Sequence, residues 1–360
     1  MSFELRGGVR AAAIPGDDPA AREVLRFASD PRERDADPDH VVAVARADEQ
    51  DGIDSALVVA SSSWPDPWLV AAWALAATSR LRVVLAHRIG LTAPTAAARA
   101  LLTLDRLSRG RAGVHLILGS SDADVLRDGD PLDKAERYER AAEFLELFAR
   151  TLDAERPFDH EGRHYRVRDA LSGVRPLPGR RPELSFAGSS PAGIALAAQY
   201  ADVYGVAAQD PAATRALIDQ AQAAAAGHGR RLRIWANARL LLAEDDAAAE
   251  RRAAAIVARA GALAGRAGDP AWIARVAPPG HDPRPTADGL RAAVAAALER
   301  TIVGGPATVA RRLRTLREIG VDVLQIQLPL EDERDRELRR ALLDELRDPA
   351  PAAVAAATAP

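Results

Sequence analysis

Residues 81–118 read LRVVLAHRIGLTAPTAAARALLTLDRLSRGRAGVHLIL, and their pattern decides the fold. Leu81–His87 and Ala112–Leu118 are short apolar runs without clean alternation, as in strands buried on both faces of a parallel sheet. Between them, residues 94–108 place apolar side chains at helical spacing, with Pro94 at the first turn and Arg109-Gly110 at the end. Strand, helix and strand in that order make a parallel crossover unit.

Outward from this unit the same alternation recurs. Further strands are predicted at Gly8–Ile14, Asp54–Ala60, Glu183–Ala187, Asp202–Ala207, Leu232–Leu242 and Val321–Leu328. Amphipathic stretches are predicted at about 40–51, 66–78, 133–152, 191–200, 211–226, 244–260 and 306–319. Eight strand–helix units predict an α/β fold, a closed (βα)8 TIM barrel. An open doubly wound sheet is the rival, but no GxGxxG turn is present. Asp51-Gly52-Ile53-Asp54 and Ile319-Gly320-Val321-Asp322 look alike, each a glycine helix stop feeding a strand.

The chain has 360 residues and no cysteine, which excludes disulfides, thiolate metal sites and thiol nucleophiles. Its 48 basic and 51 acidic residues nearly cancel, which argues against a nucleic-acid surface. No run of 18 uncharged apolar residues exists, and the first residues lack a signal-peptide pattern, so no membrane association and a cytoplasmic location are expected.

A single barrel domain over 1–348 is expected, with insertions at about 153–182 and 261–300. Residues 15–38 read as a polar loop, and 158–167 as a small hairpin turning at Glu161-Gly162. The second insertion reads as a flexible excursion, and 349–360 as a disordered Ala/Pro tail. His160 and His164 flank the hairpin turn without a third ligand at metal spacing, so no metal site is expected. The charge-dense stretch 332–347 reads as a solvated face with i,i+4 pairs.

Residues 91–99 and Thr103-Leu104-Asp105-Arg106-Leu107-Ser108-Arg109-Gly110-Arg111 resemble the bacterial luciferase-like flavin monooxygenases, most of all the alkanesulfonate monooxygenase branch. Gly119-Ser120-Ser121 leading to residues 133–139, then Phe186-Ala187-Gly188-Ser189-Ser190-Pro191, then Ile302-Val303-Gly304-Gly305-Pro306 follow in the same order. The resemblance covers roughly 39–245 and 300–335. It implies a luciferase-like barrel, reduced FMN supplied by a partner flavin reductase, O2 as co-substrate, and a homodimer or homotetramer.

Gly188-Ser189-Ser190-Pro191 lies between a strand and a helix, where free N–H groups and hydroxyls suit an anion. Ser190 reads equally as a plain helix cap. The resemblance makes Gly119, Ser120, Lys134, Tyr138, Gly188, Ser189 and Ser190 cofactor-binding. Lys134 stands where relatives have histidine, and its other reading is an exposed helix-start lysine.

Relatives' pocket groups are replaced. Ala11–Asp17 contains no histidine, and Trp64 stands at the pocket cysteine. Asn237-Ala238-Arg239 replaces an Arg-x-His pair, and Leu328-Pro329-Leu330 replaces Tyr-Pro-His. His115 replaces a flavin-facing asparagine. His115, Arg88 and Arg239 are the catalytic candidates, and Trp64, Asn237 and Leu328 line the expected substrate pocket. A strand histidine such as His115 is also often a satisfied core residue.

The expected activity is a two-component flavin monooxygenase acting on a small organic substrate less ionic than a sulfonate. Coenzyme F420-dependent hydride transfer is one alternative. A degenerate flavin-binding barrel without turnover is another.

Overall fold

The computed structural model describes residues 3–13, 19–27, 35–62, 64–119, 121–207, 210–266, 287–328 and 332–347. Strands are β1 (Glu4–Gly8), β2 (Ser55–Val58), β3 (Arg82–Arg88), β4 (Ala112–Ile117), β5 (Phe158–Glu161), β6 (Arg166–Ala170), β7 (Glu183–Ala187), β8 (Val203–Ala207), β9 (Arg233–Leu242), β10 (Ile302–Gly304) and β11 (Val323–Gln327). β1, β2, β3, β4, β7, β8, β9 and β11 pair in that order, all parallel, and β11 returns to β1. The (βα)8 barrel is therefore closed, as the repeating pattern predicts.

Helices are α1 (Pro19–Phe27), α2 (Pro38–Gln50), α3 (Pro67–Ala77), α4 (Pro94–Leu107), α5 (Asp122–Arg127), α6 (Lys134–Asp153), α7 (Pro191–Tyr200), α8 (Pro211–Ala226), α9 (Asp246–Arg266), α10 (Ala287–Glu299), α11 (Pro306–Glu318) and α12 (Glu333–Arg347). Proline opens α2, α3, α4, α7, α8 and α11. Its fixed φ suits the first helical turn, where its missing N–H is not needed. Asp37, Asp66, Ser190 and Asp210 cap the next amides with their side chains. None of the described helices is long and apolar enough to cross a membrane.

The two look-alike junctions behave alike. Gly52 and Gly320 have φ of +72° and +100°, the left-handed conformation that ends a helix without Cβ strain. Asp54 then accepts from the Leu5 amide at 2.8 Å, and Asp322 from the Ile234 amide at 3.0 Å. These carboxylates tie neighbouring strands together at the barrel floor.

The main apolar core lies between sheet and helices, while Leu57, Val84, Val203, Trp235 and Val323 form a separate cluster from alternate strand positions inside the barrel. Below it, fully buried Arg6 bonds Ser55 Oγ at 3.0 Å and Glu183 at 2.8 Å, and stacks over Trp235 at 5.2 Å. Arg82 joins Glu4 at 2.8 Å, and Arg233 also bonds Glu4. Burial opposes ionisation of Glu4, but these three arginines outweigh it and hold its carboxyl down to about 2.

Four expectations are corrected. The first strand is Glu4–Gly8, not Gly8–Ile14: its charged Glu4 and Arg6 point to partners inside the floor, which a search for apolar runs passes over. The segment read as a polar loop contains α1, whose Val24 and Phe27 are buried in a cluster with Ile256 of α9 and Val294 of α10. The second insertion includes α10 and the end of α9, and β10 follows it beside β9; residues 267–286 lie outside the described residues. The stretch 332–347 is not merely a solvated face. Leu338, Leu342, Leu343 and Leu346 of α12 are buried, and Arg339 pairs across to Asp48 at 2.6 Å and to Asp51 on the α2 side.

The hairpin is present as β5 and β6, with its turn closed by the Gly162 amide donating to the Tyr165 carbonyl at 2.9 Å. Glu143 of α6 accepts from the His164 and Tyr165 amides, each at 2.8 Å, and lies 3.1 Å from His160 Nε2. His160 thus braces the hairpin against α6, and no metal-ligand cluster occurs among the described residues. The 349–360 tail lies outside the described residues.

Candidate functional site

Two cavities open at the C-terminal ends of the barrel strands, the face where loops carry chemistry in this architecture. The larger, about 1130 Å³, lies over β2, β3, β4 and β7 and is lined by Trp64, Arg88, Gly119, Lys134, Tyr138 and the Gly188–Ser190 turn. The second, about 570 Å³, lies over β4, β7, β8 and β9 and is lined by His115, Trp235 and Asn237. Ala187, Gly188 and Ser189 border both.

A chain of donors runs along the shared wall. The Gly193 amide donates to Ser190 Oγ at 3.1 Å, and Ser190 Oγ donates to Tyr138 Oη at 2.9 Å. A hydroxyl that accepts one bond keeps its own hydrogen, so the chain ends on a Tyr138 O–H free to donate into the larger cavity. Lys134 lies one helical turn before Tyr138 and lines the same cavity. Asp133 and Glu136 form a capping box that fixes this end of α6. Ser190 is therefore both cap and link in the chain, so neither of its two readings excludes the other.

Glycine is needed where this turn meets α7. A Cβ on Gly193 would sit 3.1 Å from the Gly188 Cα and carbonyl oxygen. The Gly188 carbonyl accepts from Tyr204 Oη at 2.8 Å. Burial, with Tyr138 nearby, raises the Tyr204 hydroxyl to about 12, so it remains a donor.

Arg88, at the end of β3, bonds Asp124 at 3.3 Å and also Asp128, while Ser62 Oγ donates to Asp124 at 2.6 Å. The guanidinium thus holds α5 and the loop after β2 together. Its neighbour His87 accepts from Trp68 Nε1 at 3.1 Å through Nδ1. Burial pulls its pKa down to about 4, so it is neutral at pH 7.

His115 stands opposite Ser185 in the β4–β7 register. Its Nδ1 is 3.0 Å from Ser185 Oγ, and its ring meets Trp235 edge-on at 4.9 Å. Burial first, and the Arg6 charge second, lower its pKa to about 3. At neutral pH the ring is uncharged and has no excess proton to deliver.

The structure brings Trp64, Arg88, Gly119, Lys134, Tyr138, Gly188, Ser189 and Ser190 to the larger cavity. It places His115 and Asn237 at the second. Arg239 is half-buried near Arg300, and Leu328 packs on the sheet–helix core; neither lines these two cavities. Trp64, Asn237 and Leu328 thus do not line one common pocket. Ser120, Pro329 and Leu330 lie outside the described residues.

Sequence reasoning passed over Arg137, Asp124, Ser185, Tyr204 and Trp235. Arg137 had a signal: it precedes Tyr138 on the helix, and it is buried, bonding Asp122 at 2.9 Å and the Leu132 carbonyl at 2.7 Å.

A profile of the luciferase-like monooxygenase family matches residues 22–323. Solved structures with the same fold include an EDTA monooxygenase from Chelativorans sp. BNC1, at 20% identity and TM-score 0.72, covering 96% of this chain and 94% of that one. A long-chain alkane monooxygenase matches at 16% identity and TM-score 0.73, over 96% and 91%. The coenzyme F420-dependent tetrahydromethanopterin reductase of Methanopyrus kandleri matches at 16% and 0.68, over 96% and 97%. With the family match spanning most of its length, the chain belongs to the luciferase-like monooxygenase family.

Proposed function

We propose that this protein is an oxidoreductase that binds reduced FMN and oxidises a small organic substrate with O2, the reduced cofactor arriving from a separate flavin reductase. The observation that carries the reading is the donor chain Gly193–Ser190–Tyr138, ending beside Lys134 on the larger cavity. Three features suit a phosphate there: a helix N-terminus, the Tyr138 hydroxyl, and an ammonium. The close Gly188–Gly193 approach leaves backbone where a side chain would otherwise fill the cradle.

When bound, the reduced flavin supplies the electrons that activate O2. This chain's own residues do the rest. Lys134, Tyr138, Ser189 and Ser190 hold the phosphate, and Gly119 lines the same cavity. Tyr204 fixes the Gly188 carbonyl so that the turn keeps its shape. Arg88 positions the cavity wall through Asp124 and Asp128 rather than meeting substrate as a free cation. Trp64 lines the same cavity as the phosphate cradle and lends its wall an apolar face, while Asn237 and His115 line the second cavity. Arg239 and Leu328 are assigned no contact with cofactor. A cytoplasmic location and a homodimer or homotetramer belong to the same proposal, as does the single barrel domain over 1–348.

Anaerobic titration with reduced FMN and reduced F420 tests this. Saturable FMN binding that is lost in Ser189→Ala/Ser190→Ala is expected. No saturable binding of FMN, or F420 bound at least tenfold tighter, overturns the FMN assignment.

A further inference from the structure

The larger cavity has room beyond its phosphate cradle. Its volume of about 1130 Å³ exceeds the roughly 300–1,000 Å³ of an ordinary small-molecule pocket. The cradle belongs to α6 and the turn between β7 and α7. The wall made by α3, β3 and the loop after it has a different character, with Trp68, His87, Leu91 and Thr92 lining the cavity.

On that wall His87 has a fixed tautomer. Trp68 Nε1 lies 3.1 Å from His87 Nδ1, and an indole N–H can only donate, so Nδ1 carries the lone pair. Burial keeps the ring neutral at pH 7, which leaves its one hydrogen on Nε2. The residue is 4% exposed, and Nε2 is buried without a hydrogen-bond partner among the described residues. A donor in that state is unfavourable, and a ligand acceptor would satisfy it. Arg88 Nε and Arg137 Nε, on residues of the same cavity, also lack partners. Their guanidiniums are charged, however, and pair with Asp124, Asp128 and Asp122. His87 offers a donor without a charge.

We infer that the larger cavity holds a second binding point, where His87 Nε2–H donates to a neutral acceptor atom of an uncharged molecule resting against Trp68 and Leu91. The inference rests on the oxidoreductase reading for its biological sense: this molecule is the organic substrate, sharing the cavity with the cofactor. His87 is then a specificity group, which favours an acceptor over a hydrocarbon of the same shape. Anions are disfavoured at this point, because the ring is uncharged and the Asp66 carboxylate acts on it.

NMR titrations of the cofactor-free chain, with isotope-labelled histidines, separate this from the cofactor assignment because they need no flavin. The probes are pyridine, benzene as its isostere without an acceptor, and benzoate as the anion. Without ligand, His87 is expected in the Nε2–H form at pH 7. Pyridine should shift the Nε2–H signal saturably, and benzene and benzoate should not. In His87→Phe the affinity for pyridine relative to benzene should fall about tenfold, the worth of one buried hydrogen bond. His87→Gln, which keeps an N–H donor, should restore part of it. Trp68→Phe removes the group that fixes the tautomer, so part of the ring population should move its hydrogen to Nδ1 and the relative affinity should fall with it. A ligand-free ring that is charged or in the Nδ1–H form overturns the proposal. So does an Nε2–H signal that pyridine leaves unmoved or benzoate moves equally, or a relative affinity unchanged in His87→Phe. Should that variant fail to fold, an unchanged relative affinity in Trp68→Phe, despite its altered tautomer, overturns the proposal in its place. Failure of the FMN titration alone would overturn the cofactor reading and leave this result standing.

Discussion

Tyr138→Phe removes one oxygen from the end of the donor chain and little else. The Tyr138 hydroxyl accepts from Ser190 at 2.9 Å and presents its own hydrogen to the larger cavity. If that hydrogen meets a phosphate oxygen, its loss removes a hydrogen bond to a charged group, about 1.5–3 kcal/mol. The dissociation constant for reduced FMN should then rise about 10- to 150-fold. Fold stability should change by only about 1 kcal/mol, because Ser190 keeps its bond from the Gly193 amide. Isothermal titration under anaerobic conditions would measure the affinity, with riboflavin, which lacks the phosphate, as the control ligand. Ser190→Ala should weaken FMN comparably and also lower stability by about 1 kcal/mol through loss of the α7 cap. The double variant should lose less than the sum of the two, since both substitutions break one chain. Unchanged FMN affinity in Tyr138→Phe, or an equal loss for riboflavin, would refute the assignment of this hydroxyl to phosphate.

Other outcomes follow from the buried charges. Arg339→Met leaves Asp48 and Asp51 without their shared cation and should destabilise the fold by about 3–5 kcal/mol in urea unfolding. Burial, opposed by Arg339, raises Asp48 to about 6. The folded state therefore holds a proton there that the unfolded chain releases, and this group's contribution to stability falls as pH rises from about 4 to about 6. Asp48→Asn should flatten that slope. His87 and His115 act in the opposite sense: their folded values are depressed to about 4 and about 3, so the unfolded state binds more protons below pH ~6.5. Their stabilisation is present above that pH and is lost as pH falls, and His87→Gln should reduce the slope of stability between about pH 6.5 and 4. Arg88→Met should loosen α5 and lower stability by about 2 kcal/mol, with its effect on FMN affinity smaller than that of Tyr138→Phe.

The barrel was legible because its helices announce themselves. Aspartate or serine before proline marks the start of α2, α3, α7 and α8, and Gly52 and Gly320 mark the return to a strand. β1 escapes a search for apolar runs because its inward positions carry charge, which the distant Ser55, Glu183, Arg82 and Arg233 make tolerable. The site was legible where local spacing carries it. Lys134 and Tyr138 share a helix face, and Ser190 precedes Pro191 at a helix start. What joins β4 to β7, His115 to Ser185 and then to Trp235, is a matter of strand register across 70 residues and 120 residues of chain. Period and propensity do not encode it.

The packed floor around Arg6 has a consequence for traffic. With that end filled by ion pairs and the Trp235 layer, the two described cavities at the other face are the approaches to the barrel centre. They share a threshold at Ala187, Gly188 and Ser189. Molecules visiting both chambers would cross the same sill, so the arrival and departure of one would set the terms on which the other can leave.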